Sequence, residues 1–551
     1  MYRKDFGIVF AVALTWLAGA AGAEESEVPL PEIGRQLINK LGCPNCHALA
    51  DPAFTGLPRL GPDLRRLASK TNAGWTEKWI RAPRELRPTT WMPHLLEAAD
   101  PEEVRSIVAY LWASSVKVDY ATPPAGDPAR GEELFNAIGC TGCHLRDAGI
   151  ERHEVTLPYR LQGPNLIHLG SKVNAGWLFA WIKNPRQYAP ETLMPNNRLS
   201  GQEVADLTAF LMSSRDPELE GLPFEPAAKN EIEAGREAIE LYGCYGCHLI
   251  EGFENAGHHA SEWDSAAGFE GHGLDGLPDF GLAGRELEAL AAAVGKSLGE
   301  GDPALVEGRK LVTLYNCRGC HLIEGWGQGI RSTVDDPGML PPNLRSVGSR
   351  LQPEWLKGYL VDPSISVQRP WLRIHMPIFG LSDEQIGILV DYFSALEERE
   401  VPSLPAEPLA ARSVAVGREA FALMWCGRCH PASDEVAEAL GIGAANLAPS
   451  LEIAHRRLRY GWIADWIKDP QGMMPGTKMP TFFSQSQPGV YESIFPDGLG
   501  DFPEIEARLM QHFASEEELD ALVRDADAVV RAMVDYVWSL GQEEAAESLS
   551  R

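Results

Sequence analysis

The ten cysteines of this 551-residue chain all belong to one repeated pattern. Each pair is separated by two residues and followed directly by a histidine, which is the spacing of c-type haem attachment. Two thiols three positions apart lie on one side of a helical turn, where they can add to the two vinyl groups of one porphyrin. The adjacent imidazole can then bind the iron. We number the five motifs in chain order: Cys43, Cys46 and His47; Cys140, Cys143 and His144; Cys244, Cys247 and His248; Cys317, Cys320 and His321; Cys426, Cys429 and His430.

A single Cys-x-x-Cys pair also occurs in thioredoxin-like redox sites and in halves of zinc sites. Neither alternative requires a histidine after the second cysteine, yet all five motifs have one. No cysteine remains for a disulfide or a catalytic thiol. The sequence therefore predicts five covalently bound c-type haems, each with one iron and one proximal histidine.

The first 23 residues have the pattern of a secretory signal peptide. Arg3 and Lys4 precede an apolar run over 6–21, and Ala21-Gly22-Ala23 is a small-residue cleavage site. The run is short for a membrane span, although an uncleaved N-terminal anchor is the alternative. We expect a periplasmic or otherwise exported protein.

The motifs lie within a longer internal repeat. A glycine stands nine positions before the first cysteine of every motif, inside a helical pattern where glycine costs about 1 kcal/mol relative to alanine. We therefore expect a second helix to pack closely against each glycine, and patterns late in four repeats supply candidates. The glycines are Gly34, Gly131, Gly235, Gly308 and Gly417, and the candidate closing helices cover 104–112, 204–212, 386–393 and 529–538.

Between the motif and the closing helix, four repeats share a Pro-x-Leu loop and an aromatic pair. The pair has i, i+4 spacing, which puts both rings on one helix face. A proline follows and ends the helix. The pairs are Trp75 and Trp79, Trp177 and Trp181, Trp355 and Tyr359, and Trp462 and Trp466, and the prolines are Pro83, Pro185, Pro363 and Pro470.

This order of elements resembles the class I cytochrome c domain. The resemblance implies a mainly α fold of tandem class I cytochrome c-like domains, four complete and one truncated. It also implies that a methionine followed by proline is the second axial ligand of the iron. The matching positions in the first, second and fourth repeats are Met92, Met194 and Met376.

The fifth repeat offers three methionines for the same role. Met479 lies nine residues after Pro470, and Met92 and Met194 lie nine residues after their own prolines. This spacing favours Met479, with Met474 and Met473 as alternatives.

The third repeat departs from the pattern, because no methionine lies between Cys244 and Cys317. It has no aromatic-pair helix and no predicted closing helix, so we interpret it as truncated. A histidine could bind its iron instead, and His272 is preferred over His258 and His259 because it lies nearest the Leu277-Pro278 turn. Met339 of the fourth repeat and an open sixth position are the alternatives.

Linkers divide the chain into a signal peptide and five predicted domains. The fifth domain carries an acidic insertion that has no counterpart in the other repeats. The predicted ranges are 1–23, 24–122, 123–220, 221–300, 301–402 and 403–551, with the insertion at 481–513.

The net charge of −28 argues against nucleic acid and favours redox partners with basic docking surfaces, although it could also serve solubility alone. Iron with both axial positions filled passes electrons rather than binding substrates. We therefore predict an exported pentahaem cytochrome that transfers single electrons between redox proteins, with a membrane-bound respiratory complex among the candidate partners. The alternatives are an oxidoreductase with an open catalytic third haem, and a haem subunit of a larger dehydrogenase or respiratory complex.

Overall fold

The computed structural model describes most of the chain after the predicted signal peptide. The described residues are 28–45, 47–49, 51–54, 61–96, 100–147, 149–150, 162–222, 224, 228–253, 261–262, 278–294, 299, 301–334, 336, 339–366, 374–397, 399–431, 438–439, 441, 448–474 and 477–549.

The described part is mainly helical, which confirms the predicted class. Three small two-stranded sheets accompany the helices: β1 (His47–Ala48) pairs parallel with β2 (Ser261–Glu262), β3 (Leu322–Ile323) pairs antiparallel with β4 (Trp326–Gly327), and β5 (Gln485–Gln487) pairs antiparallel with β6 (Val490–Tyr491). The α-helices are α1 (Leu30–Leu41), α2 (Ala73–Arg81), α3 (Pro83–Leu86), α4 (Pro101–Ala113), α5 (Pro128–Ala137), α6 (Leu169–Lys172), α7 (Ala175–Lys183), α8 (Pro185–Tyr188), α9 (Gly201–Ser213), α10 (Lys229–Leu241), α11 (Arg285–Val294), α12 (Pro303–Leu314), α13 (Cys317–Cys320), α14 (Val347–Arg350), α15 (Pro353–Val361), α16 (Asp383–Ala395), α17 (Ala411–Leu423), α18 (Ala454–Arg457), α19 (Tyr460–Lys468), α20 (Pro470–Met473), α21 (Pro503–Leu509), α22 (Glu516–Arg524) and α23 (Ala526–Leu549).

The aromatic-pair helices α2 and α7 begin at asparagine caps and end just before a proline. The side chains of Asn72 and Asn174 cap α2 and α7 by accepting hydrogen bonds from backbone N–H groups in the first turn. Two residues after the last helical position stands a proline, which cannot continue the hydrogen-bond ladder. In α2 and α7 this proline begins a new short helix, α3 or α8, that turns the chain toward the methionine loop.

The repeated glycines lie where two helices approach closely, as predicted. A methyl group on Gly131 would overlap the carbonyl oxygen of Asp206, so α5 can pack on α9 only because the side chain is absent. Gly417 on α17 meets the carbonyl oxygen of Ala532 on α23 in the same way, whereas Gly308 on α12 meets the side chain of Tyr392 on α16. In these three repeats the first helix packs against the closing helix of its own repeat.

The first and third repeats exchange their closing helices. Gly34 on α1 meets Ala289 on α11, and Gly235 on α10 meets Ser106 on α4. The expectation that the third repeat has no closing helix was wrong, because α11 is such a helix. Its small residues Ala289 and Ala293 are fully buried, but against the first repeat. The packing thus crosses the predicted division between 24–122 and 221–300 twice.

The insertion at 481–513 contributes to the core of the fifth repeat. Phe483, Phe495 and Leu509 are almost fully buried in the same apolar cluster as the closing helix α23. Elsewhere in the described part, no helix is both long enough and apolar enough to span a bilayer.

Candidate metal centres

One connected cavity of about 1720 Å³ runs through the middle of the described structure. Small-molecule sites are usually about 300–1000 Å³, so this cavity has room for more than one group. Four of the five motif histidines line it, and His47 is not among the lining residues. The lining includes His144, His248, His321 and His430, together with Met92, Met194, Met339, Met376, Met474 and Met479.

These four histidines share one orientation. The Nδ1 atom of each ring lies at hydrogen-bond distance from a proline carbonyl oxygen, which can only accept, so Nδ1 carries the proton. Burial lowers the pKa of all four imidazoles and favours the neutral form. Nε2 is therefore left with a free lone pair, as a metal ligand requires. The distances are 2.9 Å from His144 to Pro164, 2.9 Å from His248 to Pro62, 2.8 Å from His321 to Pro342 and 2.7 Å from His430 to Pro449.

Backbone hydrogen bonds attach each Pro-x-Leu loop to a motif. In the second repeat the N–H of Gly163 donates to Cys143 O at 2.8 Å, and the N–H of Leu166 donates to Leu145 O at 2.8 Å. The loop of the first repeat makes the same two bonds to the third motif: Gly61 to Cys247 O at 3.0 Å and Leu64 to Leu249 O at 2.9 Å.

The sulfur atoms of two predicted ligand methionines accept hydrogen bonds from tryptophan side chains. The indole Nε1–H of Trp79 lies 3.0 Å from the sulfur of Met92, and that of Trp181 lies 2.8 Å from the sulfur of Met194. The second aromatic residue of each pair thus orients the thioether, while the first stacks on it, as Trp75 does on Trp79.

A threonine two residues before the methionine is a signal that the sequence analysis missed. Thr90 and Thr192 each accept a hydrogen bond from the backbone N–H of the methionine at 3.2 Å. Thr477 makes the same bond to Met479 at 3.3 Å. The hydrogen bond identifies Met479, rather than Met474, as the equivalent of Met92 and Met194.

Burial makes several of the motif thiols poor nucleophiles. Burial raises the pKa of Cys140 and Cys244 to about 12 and that of Cys317 and Cys426 to about 11, so these thiols are protonated at neutral pH. The cysteines in the described part form no disulfide with one another. These properties do not fit thiol catalysis or thiolate metal binding, and they are compatible with thioether attachment.

Three basic side chains of the first and second repeats, Lys70, Arg87 and Lys172, line the cavity, and Arg87 is buried. Lys172 lies 4.4 Å from the Trp75 ring centroid, and Lys70 lies 4.8 Å from that of Trp177. Burial, together with the charges of Lys70 and Arg87, holds the pKa of Lys172 well below its usual range. The Nε of Arg87 is buried without a hydrogen-bond partner. These basic groups would suit an anion such as a haem carboxylate.

The motifs contact one another in pairs. The Asn45 side chain of the first motif lies 3.7 Å from the sulfur of Cys247 in the third. Asn316, which precedes the fourth motif, donates to Gly142 O at 3.2 Å and lies 3.4 Å from the sulfur of Cys143 in the second. The fourth and fifth repeats contact each other outside their motifs, through a β-bridge between Leu351 and Leu458.

Several predicted site residues lie outside the described residues. These are Cys46 and the candidate ligands His258, His259 and His272, so the assignment of His272 stays a prediction. Met339, the alternative sixth ligand for the third motif, lines the large cavity together with the loop of its own repeat.

Comparisons with known proteins agree with the local geometry. Residues 128–215 match the family model described as cytochrome c. Cytochrome c-551 of Pseudomonas denitrificans is 30% identical over 86 residues, which cover 15% of this chain and 95% of that protein. Cytochrome c of Chlamydomonas reinhardtii is 33% identical over 113 residues, covering 17% and 93%. Cytochrome c of Ulva intestinalis is 30% identical over 113 residues, covering 17% and 94%. No solved structure matches the chain significantly.

Proposed function

Because the chain belongs to the cytochrome c family, we propose that it is an exported pentahaem cytochrome that passes single electrons between redox proteins. Family membership itself accounts for covalently bound haem and an electron-transfer role. The observation that carries the multihaem proposal is the shared cavity, which four motif histidines line with the same ring orientation.

The residues around the cavity fit haem and an electron-transfer role. When bound, haem supplies an iron that cycles between its ferric and ferrous states one electron at a time. The proline carbonyls orient the proximal imidazoles, and the indoles of Trp79 and Trp181 orient the methionine sulfurs. Lys70, Lys172 and Arg87 compensate the charge of the haem carboxylates. Histidine–methionine ligation would fill both axial positions of four irons, which favours a carrier over an enzyme.

The contacts between motifs support transfer within the chain. Electron transfer slows steeply as donor and acceptor move apart, so cofactors attached to touching motifs exchange electrons readily. The first motif touches the third, and the second touches the fourth. The cation–aromatic contacts of Lys70 and Lys172 join these two pairs, and the bridge from Leu351 to Leu458 adds the fifth repeat.

Mass spectrometry and spectropotentiometry of the full chain test this proposal. We expect the mass of the denatured protein to contain five haems and the redox titration to reach five electrons. Histidine–methionine ligation raises the potential of an iron, so four haems should titrate above the fifth. The matched control is the C140S/C143S variant, which should lose one haem only. Fewer than five haems in fully matured protein would contradict the proposal, and rapid carbon monoxide binding by native protein would favour the catalytic alternative.

Export and acidic docking are parts of the same proposal. The signal pattern at 1–23 supports a mature chain that begins at Glu24, which N-terminal sequencing of protein from a periplasmic fraction would check. The net charge of −28 supports basic redox partners, among them a subunit of a membrane-bound respiratory complex. Electron transfer to a basic partner should slow as salt rises, whereas transfer to an acidic partner of similar potential should not.

A further inference from the structure

The third motif is built into the first repeat. Its proximal ring, His248, hydrogen-bonds to the carbonyl of Pro62, and the backbone of the same loop hydrogen-bonds to Cys247 and Leu249. The preceding helix α10 packs on α4, where Tyr242 donates to Glu103 at 3.2 Å and Tyr110 donates to Glu251 O at 2.9 Å. The histidine–carbonyl and loop–motif hydrogen bonds that the second repeat makes within itself are thus made here between distant parts of the chain.

The methionine of the first repeat faces this third motif. A small cavity of about 50 Å³ is lined by Met92, Pro93, Cys244 and His248. The apolar cluster around it combines Leu67, Ile107 and Leu111 of the first repeat with Ile239 and Tyr245 of the third.

The first motif has a different partner segment. Its helix α1 packs on α11, and its strand β1 pairs with β2 of the histidine-bearing loop. Cys43 packs in an apolar cluster with Phe280 and Leu290. The described residues 261–262 and 278–294 therefore supply these contacts to the first motif, and the sequence contains no methionine between 261 and 294.

A structural correspondence shows what replaces the methionine. His94, two residues after Met92, forms a β-bridge with Asp279, and Asn196, two residues after Met194, forms the equivalent bridge with Ile378. Ile378 is two residues after Met376, and counting back two residues along the sequence from Asp279 gives Leu277, which lies outside the described residues. The sequence there is Leu277-Pro278-Asp279-Phe280-Gly281, against Met376-Pro377-Ile378-Phe379-Gly380. Leucine has no sulfur to bind iron.

We propose that Met92 binds the iron held by His248, and that the iron without a methionine ligand is the one held by His47. This inference rests on the proposed function. The haem without a methionine ligand is thereby assigned to the first motif and not to the third. The question whether a histidine binds the sixth position of that iron or leaves it open then applies to the first motif. The inference also means that neither the first nor the third haem site is complete within one predicted domain.

Proton NMR of the reduced full-length protein can separate the two arrangements. A methionine bound to low-spin ferrous haem gives a methyl resonance shifted far upfield, so we expect four such resonances. In C244S/C247S, which lacks the third haem, three should remain. In C43S/C46S, which lacks the first haem, all four should remain. The control C140S/C143S should lose one under either arrangement.

The opposite result, four resonances in C244S/C247S and three in C43S/C46S, would overturn the inference. The haem mass of each variant is measured in parallel, so a native protein with fewer than five haems would count against the proposed function instead. If a cysteine variant does not accumulate, H248G and H47G keep both thioether bonds and address the same question. The missing methyl resonance should return with added imidazole in H248G, and H47G should show all four throughout.

Discussion

The second and third motifs make the same histidine–carbonyl and loop hydrogen bonds but differ in how the chain supplies the partners. In the second, the motif, the loop, the aromatic helix α7 and the closing helix α9 follow one another along the chain, and His144 meets a carbonyl 20 residues away. In the third, His248 meets a carbonyl 186 residues away, and the loop, aromatic helix α2, methionine and closing helix α4 all precede the motif.

This difference teaches that the site is specified by short segments and not by their order. For a flexible chain, raising the separation from 20 to 186 residues costs about 2 kcal/mol in closure entropy. Val104 and Ile239 are completely buried in the apolar cluster that the first and third repeats share. Full burial of each such side chain stabilises by about 1.5–3 kcal/mol, so the contacts outweigh the entropy of closure.

The largest expected effect extends the comparison to the fifth site. Met479 shares the threonine hydrogen bond of Met92 and Met194, so M479A should abolish one upfield methyl resonance and turn one haem high-spin. The matched control M474A should leave the resonances unchanged. If M474A removes the resonance and M479A does not, the threonine bond is no guide to the ligand.

The next effect tests the helix contacts of both sites. G131A and G235A should each destabilise the protein by about 1–3 kcal/mol, because the new methyl group meets a carbonyl oxygen of the facing helix. Gly387 on α16 has open space around it, so G387A is the control and should be neutral or stabilising. Guanidinium unfolding measures these differences.

The same variants also test whether the first and third repeats exchange their closing helices. G235A should shift the methyl resonance of Met92, 143 residues earlier in the chain, and leave that of Met194 in place. G131A should do the reverse. If G235A does not move the Met92 resonance, the helices α10 and α4 do not belong to one site.

A smaller effect concerns the indole donors. W79F and W181F each remove an N–H group that holds a methionine sulfur, a hydrogen bond worth about 0.5–1.5 kcal/mol. Both should speed the displacement of methionine by added imidazole to a similar extent, as measured by stopped-flow absorbance. W462F is the control, because the Trp462 indole N–H is buried without a hydrogen-bond partner. A large effect in only one of the first two would show that the sites differ in their support.

The smallest effect concerns the threonines. T90V and T192V remove the acceptor for the methionine N–H while keeping the side-chain shape, and each should cost at most about 1 kcal/mol of stability. Thr122, exposed in the linker, provides the control T122V. Thermal unfolding measures the stability of the three variants, and T122V should lose the least. A larger loss of stability in T122V than in T90V or T192V would contradict the prediction.

Much of the local structure could be predicted because its causes are local. The prolines after α2 and α7 end those helices through a missing N–H group, and the i, i+4 tryptophans stack because of helix geometry. The glycines predicted a close helix contact, and each described one has it. The Thr-x-Met hydrogen bond was present in the sequence as a pattern but had no recognised meaning without the loop geometry.

The sequence by itself determined the motifs, most of the helices around them and the candidate iron ligands, since each depends on neighbours within a few turns. It could not determine which closing helix packs on the first helix of which repeat. Helices α1 and α10 carry the same glycine, and α4 and α11 both offer small residues to it, so either pairing satisfies the local pattern. Tertiary contacts such as Tyr110 with Glu251 and Arg84 with Asp279 decide between the two pairings, because they form only when the first and third repeats exchange partners.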